Sequence, residues 1–126
     1  MLSSCPFCND KIQAELVAEH GSVYAIEDKY PVTEGHILII PRRHIGDYFQ
    51  MSEVERQDAD KLLLAMKEKI LRNDPSVIGF NIGMNCGIAA GQTIPHGHIH
   101  LIPRRLADTA DPRGGVRGVI PEKQKY

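Results

Sequence analysis

Apolar and polar positions alternate along several short runs of this chain and follow a helical period along one. Glu15-Leu16-Val17-Ala18-Glu19 and Ser22-Val23-Tyr24-Ala25-Ile26-Glu27 have the length and residue types of strands, and His20-Gly21 between them predicts a hairpin turn. Pro31 and Gly35 bracket a loop. In His36-Ile37-Leu38-Ile39-Ile40 every position after the histidine is apolar, the pattern of a central strand covered on both faces, and Pro41 ends it. Ala59, Leu63, Met66 and Ile70 form one stripe at helical spacing and predict a helix from Glu53 to Leu71. Ser52-Glu53-Val54-Glu55 is a capping box that opens it, and Asn73-Asp74-Pro75 stops it. Ile78 to Gly83 reads as a fourth strand and residues 96–102 as a fifth. Strands, a helix, then strands predict an α+β domain with a five-stranded, mainly antiparallel sheet and one main helix on one face.

Composition narrows the class without naming a partner. The chain has 126 residues and is 42% hydrophobic, enough for one ordinary globular core. With 15 basic and 16 acidic side chains there is no surplus to draw it to nucleic acid, and none is expected as a partner. Arg42 and Arg43, Arg104 and Arg105, and Arg113, Arg117, Lys123 and Lys125 in the tail read as solvated surface. No apolar run has the length of a bilayer span, so no membrane partner is expected. The first residues lack the pattern of a signal peptide, which makes a cytoplasmic location the expectation. Three cysteines, two of them in Cys5-Pro6-Phe7-Cys8 and the third at Cys86, do not form a secreted disulfide framework. Cys86 reads as a small buried hydrophobe.

The chemistry is concentrated in His96-Gly97-His98-Ile99-His100. On a strand, alternate residues share a face, so the three imidazoles would point one way and Ile99 and Leu101 the other. Three readings compete: structural histidines, a metal site, and nucleophilic catalysis, in which a neutral imidazole attacks phosphorus to give a phosphoramidate. Upstream, Gly83, Gly87 and Gly91 recur every fourth residue and precede a strand, not a helix, so a dinucleotide-fold fingerprint fails its context. Glycines there would still let backbone amides approach a phosphate closely. His20, beside Gly21, reads as an exposed turn histidine.

Gly91-Gln92-Thr93-Ile94-Pro95-His96-Gly97-His98-Ile99-His100-Leu101-Ile102-Pro103 resembles the signature of the histidine-triad (HIT) family, His-φ-His-φ-His-φ-φ preceded by Gly-Gln-Ser/Thr, with φ apolar. Gly97 in the first φ position is a departure. Gly35-His36-Ile37-Leu38-Ile39-Ile40-Pro41-Arg42-Arg43-His44 resembles the family's second landmark, and Cys5-Pro6-Phe7-Cys8 resembles the N-terminal pair of many short prokaryotic members. The resemblance runs from residue 5 to about 105 and implies a HIT-like fold, a homodimer, and the chemistry of diadenosine tetraphosphate hydrolase-like and Hint-type enzymes. His98 would be the nucleophile, with His36 and His100 around it. Gln92 and Thr93 would contact the phosphates, Asp28, eight residues before His36, the ribose hydroxyls, and Asn85, eleven before His96, the phosphate pocket. The substrate would be a purine nucleotide derivative, either a dinucleoside polyphosphate or a nucleoside phosphoramidate. A phosphorylase and a nucleotide-binding regulator with residual hydrolysis remain open alternatives.

Cys5 and Cys8 with two histidines make a complete tetrahedral zinc set. A redox role for the pair would need the βαβ context of thioredoxins, which is lacking. Members with the N-terminal pair resemble galactose-1-phosphate uridylyltransferase, where zinc is held by two cysteines, a distant histidine and the first motif histidine. That implies structural zinc on Cys5, Cys8, His44 and His96. The chain then divides into a HIT domain over residues 1–110 and a Gly/Arg-rich tail over 111–126. Composition alone makes that tail flexible. Its segment 112–121, however, resembles one of short bacterial HIT proteins, and Val116, Val119 and Ile120 lead us to expect it to pack on the domain or on a partner protomer.

Overall fold

The structure, a computed structural model, describes residues 4–126. Five strands, β1 (Leu16–His20), β2 (Val23–Glu27), β3 (Ile37–Pro41), β4 (Gly79–Gly83) and β5 (Ile99–Arg104), and one long helix, α1 (Glu53–Asn73), carry the fold. The strands form one antiparallel sheet in the order β1-β2-β3-β5-β4. No helix among the described residues is long and apolar enough to cross a membrane.

β3 explains the layering. All five of its residues are buried because both faces of the sheet are covered. Ile37 and Ile39 point toward α1 and pack with Ala59, Leu62, Met66, Ile99 and Leu101. Leu38 and Ile40 point the other way, onto Cys5, Phe7, Ile12, Tyr24 and Ile26. The N-terminal segment thus serves as the second cover layer. The helix stripe is centred on Leu62, with Leu63 and Ile70 only partly buried at its side.

The local signals act as their chemistry requires. Ser52 Oγ accepts from Glu55 N at 3.1 Å and Glu55 Oε1 accepts from Ser52 N at 2.8 Å, the reciprocal capping box. Glu55 is nearly fully buried and also receives Arg43 in a forked pair at 3.0 and 2.8 Å. The guanidinium holds the Glu55 carboxyl below the usual carboxylate range. α1 runs two residues further than the periodicity indicates.

The first hairpin turns one residue later than expected, since His20 pairs with Val23 and Gly21-Ser22 makes the bend. Gly21 has φ +55°, and a Cβ there would run into the Asp58 carboxylate, which accepts from Ser22 N and Oγ at 2.8 and 2.7 Å. The largest difference lies at the fifth strand. It begins at Ile99, not at residue 96, and reaches Arg104. His96 and His98 are therefore in the approach to β5, and strand alternation does not set a common face for the three histidines.

The tail is ordered by its own polar contacts. Two short 3-10 turns cover Gly115–Val119 and Pro121–Lys123. Arg117 Nε donates to the carbonyls of Lys123 and Gln124, and the Arg113 and Arg117 guanidiniums lie over the Tyr126 ring. Gly114 has φ +87°, and a side chain there would strike the Gln124 carbonyl. Val116, Val119 and Ile120 are exposed, and the tail meets the domain at β4, where Gly115 lies beside Asn81.

Candidate active site

Pairing of β3 with β5 sets Leu38 opposite His100 and brings His36, at the entry to β3, against the His100 ring. The proton positions follow from backbone groups. Val32 N donates to His36 Nδ1 at 3.0 Å. An amide can only donate, so the neutral His36 ring carries its hydrogen on Nε2. That atom is 2.9 Å from His100 Nδ1 and 3.4 Å from Asp28 Oδ2. Donation to His100 Nδ1 in turn leaves the His100 hydrogen on Nε2. Burial pushes the pKa of both rings down, that of His100 to about 4, with Asp28 opposing. Both imidazoles are neutral near pH 7. Asp28, His36 and His100 could also be read as a metal triad. A metal on His36 Nε2 would force the hydrogen onto Nδ1, into the Val32 N–H, which argues against that reading.

His98 is fixed by similar means. Its Nδ1 is 2.8 Å from the carbonyl oxygen of His96, so Nδ1 carries the hydrogen and Nε2 keeps its lone pair. The ring meets Phe7 edge-on at 5.2 Å and His100 at 5.1 Å between centroids. His98, His100, Thr93, Asn85 and Asp28 line one groove of about 1030 Å³. Pro112, Gly115 and Val116 of the tail form part of its wall together with Asn81.

His96 belongs to a different cluster. It is fully buried; its Nε2 faces the Pro41 carbonyl at 2.8 Å, which places the hydrogen there and leaves Nδ1 as a lone pair. Nδ1 is 3.4 Å from both Cys5 Sγ and Cys8 Sγ, and His44 Nδ1 is 3.2 Å from Cys8 Sγ. The four donor atoms lie within 4.8 Å of one another. Tetrahedral zinc with ordinary bond lengths separates sulfur from nitrogen by about 3.5 Å, so the donor set fits that ion. The Pro41 carbonyl would orient His96 as outer partners orient metal-bound histidines. Burial and the neighbouring Cys5 push the Cys8 thiol up to about 11.

Several residues sit differently from expectation. Gln92 is turned away from the groove: its Oε1 accepts from Gly87 N at 2.8 Å, and its Nε2 donates to the carbonyls of Gly46 and Ile94 at 2.6 and 3.0 Å. It clamps the loop, and the Gly87 amide is thereby used internally. Asp28 Oδ1 accepts from Tyr30 N, while Oδ2 faces the histidine pair. Cys86 is half-exposed rather than buried. His20 is exposed beside the hairpin turn, as expected, 3.7 Å from Asp58. Gly97 sits tightly where the family pattern has an apolar side chain: a Cβ would come within 3.1 Å of Asp47 Cα and of Ile45 Cδ1, so these neighbours would have to shift slightly. Sequence reasoning did not single out Phe7, the Val32 amide or the Pro41 carbonyl. Only Phe7 carried a signal, as the aromatic residue inside the cysteine pair.

Fold and site together define a histidine-lined groove on an antiparallel α+β sheet. A model of the HIT domain matches residues 9–107, and the chain belongs to the HIT family. An uncharacterized HIT-like protein of Mycoplasma genitalium is 35% identical over 108 residues, 81% of this chain and 74% of that protein. AP-4-A phosphorylase of Mycobacterium tuberculosis is 31% identical over 93 residues, 71% and 46% of the two chains. The asymmetrical bis(5'-nucleosyl)-tetraphosphatase of Schizosaccharomyces pombe is 33% identical over 81 residues, 64% and 44%. This chain thus spans under half the length of the last two. Among solved structures, a HIT-family member from Bacillus subtilis superposes with TM-score 0.72 at 31% identity, covering 94% of this chain and 88% of that one. A Zn-bound histidine triad protein from Mycobacterium smegmatis gives 0.68 at 29%, covering 88% and 82%.

Proposed function

We propose that the protein is a nucleotide hydrolase or transferase acting on the α-phosphate of a nucleoside phosphate derivative through a nucleotidyl-histidine on His98. The observation that carries this reading is the free Nε2 lone pair of His98, held toward the groove by the Nδ1–H bond to the His96 carbonyl. That lone pair forms a bond to the α-phosphorus, and the bond to the leaving group breaks with its electron pair. His100 lies beside His98, ring centroids 5.1 Å apart, with its own hydrogen on Nε2. Thr93 would help stabilise charge on the phosphoryl oxygens, a role in which one lost donor costs on the order of 3 kcal/mol of barrier. Asp28 would accept from ribose hydroxyls and Asn85 would line the phosphate pocket, while Gln92 acts by holding the loop. In the second step an acceptor attacks phosphorus, the phosphorus–nitrogen bond breaks, and His98 is restored.

The substrate class is a purine dinucleoside polyphosphate or a nucleoside phosphoramidate. Relatives named as a phosphorylase and as a tetraphosphatase support a dinucleotide and leave two acceptors, phosphate and water. Cys5, Cys8, His44 and His96 would hold structural zinc, pinning the N-terminal turn to the approach of β5. A homodimer belongs to the same reading: β4 is an open sheet edge, and Ile78 and Ile82 beside it are exposed.

The decisive experiment incubates diadenosine tetraphosphate and an adenosine phosphoramidate with the protein in ¹⁸O-labelled water, with and without inorganic phosphate. The adduct is sought on His98 by mass spectrometry of a quenched reaction. Label in the nucleotide product and an adduct on His98 are expected. Loss of label with new nucleoside diphosphate when phosphate is present identifies the phosphorylase. No turnover of either compound overturns the enzymatic reading.

A further inference from the structure

The cysteine pair frames a residue that faces both histidine clusters. Phe7 lies between Cys5 and Cys8 and is buried. Its ring meets His96 edge-on at 5.7 Å and 83° and His98 at 5.2 Å and 69°. Its backbone is held at two points. Cys8 N donates to Cys5 O at 3.1 Å, closing the turn, and Tyr24 Oη donates to Phe7 O at 2.6 Å. Tyr24, Cys5 and Phe7 are buried against Ile26, Leu38 and Ile40. One aromatic ring on a rigid backbone therefore touches the imidazole whose lone pair faces the groove.

The His98 ring has few other restraints. The His96 carbonyl fixes one nitrogen, and His100 touches one edge, but a single hydrogen bond leaves the plane of an imidazole free to tilt about it. The Phe7 ring supplies the missing restraint, because an edge-to-face pair has a preferred interplanar angle as well as a distance. We infer that Phe7 is a positioning residue for His98: it holds the imidazole plane so that Nε2 meets the phosphorus in line. It does so from a turn whose shape is set by the Cys8 N–H bond to the Cys5 carbonyl and by the Tyr24 hydroxyl. This inference rests on the nucleophile reading above, and its test separates the two.

The probes are Phe7→Leu, which keeps a buried apolar side chain, and Tyr24→Phe, which keeps the core volume and removes only the hydroxyl on the Phe7 carbonyl. Parent and variants are compared for zinc content, KM, the single-turnover rate of adduct formation with diadenosine tetraphosphate, and the ¹⁵N–¹H spectrum of the His98 ring. Phe7→Leu is expected to slow adduct formation roughly tenfold, the preference one aromatic pair can impose. KM and zinc content should stay within twofold, and the His98 Nδ1–H resonance should broaden or split. Tyr24→Phe should slow the same step by a smaller factor. An adduct rate within twofold of the parent in Phe7→Leu overturns the inference, as does a loss that tracks loss of zinc with an unchanged His98 spectrum. If Phe7→Leu does not fold, the Tyr24→Phe rate decides by the same criterion. Absence of any adduct in the parent refutes the nucleophile reading instead, and the His98 spectra of the three proteins still decide whether Phe7 holds the ring.

Discussion

His98 takes its proton position from His96: the Nδ1–H of one donates to the carbonyl oxygen of the other at 2.8 Å. The nucleophile candidate is thus oriented by the backbone of a residue whose side chain belongs to the cysteine–histidine cluster. Removing the ring should stop chemistry and spare binding. His98→Ala is expected to lower turnover by at least roughly 10³-fold, the scale on which loss of a nucleophile acts. Nucleotide affinity should stay within a few-fold. Steady-state rates and equilibrium binding of a non-hydrolysable analogue check both halves.

The four-ligand cluster predicts about one zinc per chain and metal–sulfur distances near 2.3 Å, measurable by elemental analysis and X-ray absorption. Cys5→Ser should lose zinc and thermal stability together. A loss of about 1 kcal/mol corresponds to roughly 4 °C or more in a domain of this size. Protein prepared without chelators and free of metal would end the zinc proposal.

The neutral His36–His100 pair predicts a pH dependence of stability. The folded pKa of His100 is lowered to about 4 by burial and by His98 and His36, against about 6.5 unfolded. Above pH 6.5 neither state takes a proton and the residue adds no slope. Between 6.5 and 4 the unfolded chain binds a proton that the folded one refuses, so stability falls as pH falls. Its share at pH 5 is roughly 1–2 kcal/mol. Denaturant unfolding at pH 7.5 and pH 5 should show a smaller difference in His100→Asn than in the parent.

Deleting residues 111–126 removes part of the groove wall but none of the sheet or α1. The shortened chain should fold with a melting temperature within a few degrees of the parent, and its KM for a dinucleotide should rise several-fold. Sedimentation of both forms shows whether the tail also supports a dimer. An unchanged KM and an unchanged assembly state would make the tail dispensable to the site.

What the sequence carried and what it withheld divide by range. α1 announced itself through local chemistry, the Ser52–Glu55 box and the Asn73-Asp74-Pro75 stop, and β3 through an unbroken apolar run. These signals need only neighbours. The family landmarks likewise brought His36, His98 and His100 to one groove. The start of β5 was hidden because His96 is drawn out of the strand path by partners far along the chain: Pro41, Cys5 and Cys8. Gln92 reads from the motif as a phosphate contact, while its amide donates to the Gly46 carbonyl, 46 positions earlier in the chain and adjacent in space. The tail's valines suggested packing on the domain or a partner, and its Arg117, Gln124 and Tyr126 contacts, which hold it together within this chain, had no local signal.

The cysteine–histidine cluster also imposes an order on biosynthesis. Cys5 precedes His96 by 91 residues. At ordinary elongation rates the two thiols exist for roughly 5 to 20 seconds before that imidazole is polymerised. For that interval they are a half-built chelate on a nascent chain, free to pick up a metal or to oxidise with each other. If the cluster holds zinc, as proposed, the ligand made last sets when the site can close, and oxidation of the two thiols before then would block it.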